Sequence, residues 1–370
     1  MPGPQPHPYL ESLVPYQNNK AKVDDEAGKI RLCYNEGAFG PSPKAMEAFR
    51  AVANRIHIYP DMGHARLRAA LAARYKLDAA RITCGAGSDD LIGLLARAYA
   101  SKGDEVLYNE YGFTMFPVAA KCVGAIPVTA PEINMRADIS ALLKAVTSKT
   151  RIMFLANPNN PTGSWLTRQE INDLLKHLRD DILFVYDAAY ADYMDEKDYS
   201  DGLEWVGENS RVVALRTFSK IHGLASLRIG WGYASHKVTE ALNRIRNPFN
   251  ISGAAEAAAI ASLADVDFIA ACRAHTILWR EKLYNELVTL GFKAFPSKGN
   301  FVMSQLESEA EANKLKKYLS DNGILVRSMI SYNLPDCLRY SVGRENEMLA
   351  LFNALKKYQD TRNVAQKAVV

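Results

Sequence analysis

No run of about 18 apolar residues occurs in the 370-residue chain, so a membrane-spanning helix is not expected. An excess of one charge sign is missing too. The 45 basic and 41 acidic residues leave a net charge of only +4, which gives no reason to expect a nucleic-acid or membrane partner. Cysteine is sparse: the five, Cys33, Cys84, Cys122, Cys272 and Cys337, contain no C-x-x-C and no Cys/His zinc spacing. Free thiols in a reducing cytoplasm are therefore the expectation. His57 and His64 could share a helix face, but two ligands do not make a metal site, and none is expected. The opening Met1-Pro2-Gly3-Pro4-Gln5-Pro6 has neither a charged segment nor an apolar one, so no secretory signal is expected. Low-complexity segments and internal repeats are also absent.

What remains is an ordinary globular composition, 48% hydrophobic and 23% charged, long enough for one large and one smaller domain. From residue 42 onward helical and strand patterns alternate. Helices are expected at 42–54, 64–75, 88–100, 136–145 and 167–179. Strands are expected at 81–84, 105–108, 126–129, 151–156, 182–186, 211–215 and 229–233. Such alternation predicts an α/β fold, a mostly parallel seven-stranded sheet covered by helices. The alanine-rich 254–264, continuing through 268–290, reads as long helix bridging to a second unit. Strands at 301–305 and 338–342 flank a helix at 309–322, which predicts a smaller α+β domain. The expected division is an N-terminal arm with part of the small domain (1–39), a large domain (40–250) and a small C-terminal domain (251–370).

Three strand ends carry the chemistry. The apolar run Val212-Val213-Ala214-Leu215 leads into Arg216-Thr217-Phe218-Ser219-Lys220. A lysine there can shed hydration and act as a free amine able to form a Schiff base, although most lysines after strands are simply solvated. Thr217, Ser219 and Arg228 are the donor types that hold a phosphate ester. Ile182-Leu183-Phe184-Val185-Tyr186 ends at Asp187, with Tyr190 three residues on. Asp187 could equally cap the next helix. A third apolar strand runs into Asn157-Pro158-Asn159-Asn160-Pro161-Thr162-Gly163, where Asn160 could be turn chemistry alone. In open α/β sheets the carboxyl edge is where ligands sit. An aldehyde cofactor with a phosphate and a pyridine ring, pyridoxal 5′-phosphate, would use all these groups: Asp187 to keep the ring nitrogen protonated, Tyr190 and Asn160 beside the ring hydroxyl. Gly85-Ala86-Gly87-Ser88-Asp89-Asp90 follows a strand and opens a helix, as an anion-cradling turn does. A dinucleotide site is disfavoured because Asp90 stands where a third glycine would be needed.

Asn160-Pro161-Thr162-Gly163, Asp187-Ala188-Ala189-Tyr190 and Ser219-Lys220 with Arg228 resemble the signatures of fold-type I pyridoxal-phosphate aminotransferases. Pro15-Tyr16, Tyr59-Pro60-Asp61, the 85–90 loop, Tyr111-Gly112-Phe113 and the run from Cys337 to Gly343 narrow the resemblance to histidinol-phosphate aminotransferases, over nearly the whole chain. The resemblance implies that Lys220 holds the cofactor and shuttles the substrate's Cα proton. Gly87, Ser88 and Asp89 would cradle the phosphate, and Phe113, with Tyr111 two residues away, would stack on the ring. Tyr59 would reach the phosphate of a neighbouring subunit, making a homodimer with shared active sites. Arg339 would grip an α-carboxylate, and Arg327 with Tyr16 the phosphate end of the substrate. The implied reaction is transamination between L-histidinol phosphate and 2-oxoglutarate in the cytoplasm. An aromatic amino-acid aminotransferase, a phospho-amino-acid decarboxylase and a non-catalytic relative are the alternatives. The sequence departs from the family's pattern at Gln17-Asn18-Asn19, at Ala86 and at Asn333, where a glycine is common.

Overall fold

The computed structural model describes residues 3–11, 13 and 28–367, with side chains to 362. The strands, in chain order, are β1 (Ile30–Leu32), β2 (Ile82–Gly85), β3 (Glu105–Asn109), β4 (Ile126–Ala130), β5 (Glu132–Ile133), β6 (Arg136–Ala137), β7 (Thr150–Ala156), β8 (Leu183–Asp187), β9 (Val212–Thr217), β10 (Gly230–Tyr233), β11 (Lys293–Phe295), β12 (Phe301–Gln305), β13 (Ile324–Met329) and β14 (Leu334–Ser341). Seven form one sheet in the order β2-β10-β9-β8-β7-β3-β4. Within it only β10 runs against its neighbours. These are the seven strands expected from the sequence.

The central strands are apolar throughout because both faces of the sheet are covered. Successive side chains go to opposite faces. Met153, Leu155, Phe184, Tyr186, Val212 and Ala214 join one core cluster, while Ile152, Phe154, Val185, Val213 and Leu215 join the other. The helix Pro43–Ala51 starts where Ser42 Oγ accepts the Ala45 amide and a proline takes the first helical position. Arg168–His177 begins with a reciprocal capping box between Thr167 and Glu170.

The expected helix at 136–145 is corrected. Residues 136–137 pair with 132–133 in a hairpin, turned by Asn134 and Met135 at φ 52° and 60°, a conformation suited to tight hairpin turns. The Arg136 guanidinium is held by Trp165 O at 2.9 Å and by Glu170 at 2.6 Å, so a helix starts only at Ile139, capped by Asp138. The long bridging helix is likewise two, Gly253–Ala264 and Val266–Thr289, broken at Asp265. The first of them packs Ala255, Ala258, Ala259 and Leu263 into the large sheet's core.

A second sheet has the order β1-β13-β14-β12-β11. Its own core includes Leu32, Leu283, Val302, Leu315, Val326, Leu338 and Leu351. The N-terminal β1 lies parallel to β13, so residues 30–32 join this smaller sheet.

Beneath the large sheet, Arg216 is buried and bridges Asp192 at 2.6 Å and Asp201 at 2.9 Å, with the Tyr75 and Trp231 rings 5.2 and 5.9 Å away. Burial alone would raise the Asp192 carboxyl, yet the Arg216 and His222 charges hold it below its ordinary value. Removing the guanidinium leaves carboxylates without their counter-charge. Arg216→Met should therefore cost about 3 kcal/mol in urea denaturation. A loss under roughly 1 kcal/mol, the level of a surface pair, would show that the bridge contributes little.

Candidate active site

Parallel pairing sets Ala156 opposite Asp187 and Asp187 opposite Leu215, so β7, β8 and β9 end at one edge. Beyond that edge lies a cleft of about 240 Å³. Lys220, Asp187, Tyr190, Asn160, Phe113, Ser88, Asp89, Thr217, Ser219, Arg228, Arg327 and Arg339 all line it. Residues spread from 88 to 339 thus converge on one space. Phe113, not Tyr111, faces the cleft; Tyr111 packs with Met303, Met329 and Tyr332. Gly87 lies just behind, at φ 94°, where a β-carbon would come within 2.5 Å of Arg228 Nη2, so only glycine fits. Tyr59 does not line this cleft: it is 78% exposed and stacks on Phe249. Tyr16 lies outside the described residues.

At the centre, Asp187 is 4% exposed and its Oδ1 accepts the Ala189 amide at 3.1 Å. Its pKa is pushed up to about 7, mainly by burial and further by Asp89, against the lowering effects of the Ala189 amide and Lys220. Such a carboxyl gains from a cationic partner in the cleft. The Lys220 ammonium lies 5.6 Å from the centre of the Tyr190 ring.

One end of the cleft is built for an anion. Helix Ser88–Tyr99 opens there, directly after Gly87, with its dipole favouring negative charge. Asp90 takes the Ala86 amide at 3.0 Å, which gives the residue at the missing-glycine position a role in shaping the turn. Arg228, at φ 49°, donates to Ser219 Oγ at 3.3 Å and to Asp89 at 3.0 Å. The Ser219 amide donates to Thr217 Oγ1.

The other end comes from the smaller sheet. Arg327 and Arg339 are register partners on β13 and β14, both 6% exposed. Like charges directly opposite each other are unfavourable in a sheet unless an anion is shared. Arg339 donates to Asn160 Oδ1 and to Cys33 O, while its Nε is buried without a hydrogen-bond partner. Tyr332 also reaches Asn160. The adjoining Asn333 has φ 58°, a left-handed conformation that asparagine tolerates, which accounts for the departure from glycine.

Sequence reasoning missed Tyr34, Asn35, Glu36 and Tyr332, all of which line the cleft. The first three follow β1 across the mouth of the site. Tyr34 has Arg31 at 5.3 Å and Arg327 at 6.0 Å from its ring. A buried carboxyl, an amine, a hydroxyl-and-arginine anion cradle and an unpartnered guanidinium nitrogen fit a phosphorylated pyridine aldehyde together with an anionic substrate.

Comparisons with known proteins identify the chain's family. The family model described as aminotransferase class I and II matches residues 27–355. A histidinol-phosphate aminotransferase of Paramagnetospirillum magneticum is 46% identical over 360 residues, covering 97% of this chain and 99% of that protein. The enzyme of the same name from Rhodospirillum centenum is 45% identical, covering 96% and 98%. Among solved structures, histidinol-phosphate aminotransferase from Sinorhizobium meliloti in complex with pyridoxal-5′-phosphate superimposes with a TM-score of 0.87 at 30% identity, covering 96% of this chain and 97% of that one.

The elevated Asp187 pKa has a measurable consequence. A carboxyl whose folded pKa lies above its unfolded value near 3.8 supports the fold at low pH, and that support is lost as pH rises through about 7. In the cofactor-free protein, Asp187→Asn should leave the thermal midpoint unchanged near pH 4 and raise it by roughly 2–5 °C near pH 8. A midpoint that falls at the higher pH would mean that the carboxylate is already well stabilised there.

Proposed function

This chain belongs to the class I and II aminotransferases, and from that premise we propose that it transfers the amino group of L-histidinol phosphate to 2-oxoglutarate in histidine biosynthesis, using pyridoxal 5′-phosphate. When bound, the cofactor supplies an aldehyde for condensation with amines and an electron-poor ring that takes up the electrons of a deprotonated Cα. Lys220 would carry the aldehyde at rest. Its Nζ, at the cleft, would serve as the base that takes and gives back the substrate's Cα proton. Asp187 would keep a proton on the ring nitrogen, Tyr190 and Asn160 would serve the ring oxygen, and Phe113 would offer a flat face. Ser88, Asp89, Thr217, Ser219 and Arg228 would hold the cofactor phosphate, with the backbone turning at Gly87.

The opposed Arg327 and Arg339 carry the substrate assignment. Histidinol phosphate bears a phosphate ester at the position where an amino acid bears its α-carboxylate. Two buried guanidiniums suit that dianion, and Arg339 alone can grip the carboxylate of the second substrate through parallel hydrogen bonds. The amino donor and the 2-oxo acid are the small-molecule partners of this reading. Tyr59 reaching the cofactor phosphate of a second copy, in a homodimer, is supported by its exposure beside Ile56 and Ile58, which are 82% and 53% exposed. A cytoplasmic setting is in keeping with the histidine-biosynthesis role proposed here. No helix among the described residues is long and apolar enough to cross a membrane.

Lys220→Ala should abolish both turnover and the visible absorbance of the protein–cofactor linkage; retained activity would refute the assignment. Histidinol phosphate should be preferred over phenylalanine and tyrosine by about a hundredfold in kcat/KM, roughly 2.7 kcal/mol. Equal rates would instead identify an aromatic amino-acid aminotransferase, and release of carbon dioxide from a phospho-amino acid a decarboxylase. Sedimentation should show a particle of twice the 41.0 kDa chain mass, and a monomer at working concentration would exclude the shared site.

A further inference from the structure

Asn35 is 1% exposed and sits where three parts of the chain meet. Its backbone amide donates to Ser341 Oγ at 2.9 Å. The same hydroxyl donates to Asn35 Oδ1 at 3.1 Å. A serine hydroxyl has one proton, and here it is spent on the asparagine's oxygen, which fixes the orientation of the amide. The Nδ2 group must then face the other way, and it donates to the Tyr190 hydroxyl oxygen at 2.9 Å. Asn300 pins the strap from the opposite side, donating to the carbonyls of Asn35 and Glu36, both at 3.0 Å. Asn35 itself has φ 56°, a left-handed conformation open to asparagine, aspartate and glycine.

A phenol that accepts a hydrogen bond at its oxygen becomes a stronger donor through its own proton. One lone-pair side of the Tyr190 hydroxyl is taken by Asn35, and Tyr190 lines the cleft. We propose that Asn35 is a positioning residue that orients and polarises Tyr190, lowering the proton affinity of the linkage between Lys220 and the cofactor. The inference rests on the cofactor assignment above. A stronger phenolic donor to the cofactor's ring oxygen withdraws negative charge from it. That charge otherwise stabilises the neighbouring protonated nitrogen, so polarising Tyr190 makes the nitrogen easier to deprotonate. The other charged groups around the cleft are not altered by changing Asn35. Asp89 pairs with Arg228 and Glu36 with Arg31. Asp187 lies at the end of β8, and Arg327 and Arg339 occupy the far end on β13 and β14.

The test is an absorbance titration of the holoenzyme, following the protonated and unprotonated forms of the Lys220 linkage. Asn35→Gly keeps the backbone conformation and removes the donor; it should raise the linkage pKa by about 0.5–1 unit. Asn35→Asp keeps the acceptor for Ser341, cannot donate and adds a negative charge, so it should raise the pKa further; the part of that rise lost in a Tyr190→Phe background carries the test should the glycine variant not fold. In a Tyr190→Phe background, Asn35→Gly should produce no further shift. Unchanged pKa values in both single variants overturn the proposal, as does an undiminished shift without the phenol. A reconstituted wild-type protein with no titrating band refutes the cofactor reading itself; a normal wild-type titration with unmoved variants refutes only the role of Asn35.

Discussion

A carboxylate closed into the end of a fully buried strand depends on finding a positive partner, and Asp187 is that group here. Every residue of β8 is buried, because helices cover both faces of the sheet and leave no solvent beside its central strands. The backbone offers Asp187 one amide, too little to offset burial, and its pKa near 7 records the deficit. A protonated ring nitrogen of the proposed cofactor would supply the missing charge. Parallel pairing with β7 and β9 then decides what lies nearby, because the crossover loops must leave from the same edge. Lys220 and Asn160 reach the cleft for that reason.

The second sheet contributes what the first cannot. Its arginines approach from the far side of the cleft on adjacent strands, while the strap after β1 crosses between the two sheets. Close backbone approach makes that crossing possible. A β-carbon on Gly37 would lie 2.6 Å from the Lys220 carbonyl, and one on Gly223 would lie 2.2 Å from Gly40. Any side chain at either place would push the strap away from the lysine-bearing turn. The positive φ of 67° at Gly223 is a further reason for glycine there.

Legibility in the sequence followed the range of the forces involved. All seven strands of the large sheet were readable, because a strand buried on both faces is apolar without interruption and needs no partner to identify it. Lys220, Asp187 and Asn160 were readable because each stands at or just beyond such a strand's end. The 136–145 segment was not: the spacing of its apolar residues suits a helix, and the deciding contact, Arg136 with Glu170, spans 34 positions. β1 and β13 escaped notice for a related reason. β1 has three residues and finds its partner almost 300 positions later. Asn35 looks like a loop asparagine, and its role emerges only from a hydrogen bond to a serine 306 residues away. Tyr59 is intermediate: its exposure is visible in one chain, while its proposed function belongs to two.

The resting contacts of Arg339 bear on how the site receives its substrate. Its guanidinium donates to the neutral amide oxygen of Asn160 and to a backbone carbonyl, so it is already oriented. Replacing a neutral acceptor by a phosphate or carboxylate oxygen about doubles the strength of a hydrogen bond. Little rotamer entropy remains to be lost, since the side chain is buried and lies 5.1 Å from the Phe301 ring. The orphan Nε gains a partner at the same moment. In the proposed reaction, displacing Asn160 from Arg339 would also free its amide to turn toward the cofactor. Binding at the arginine end would thereby be coupled to the hydrogen bonding around the proposed cofactor, through a single asparagine side chain.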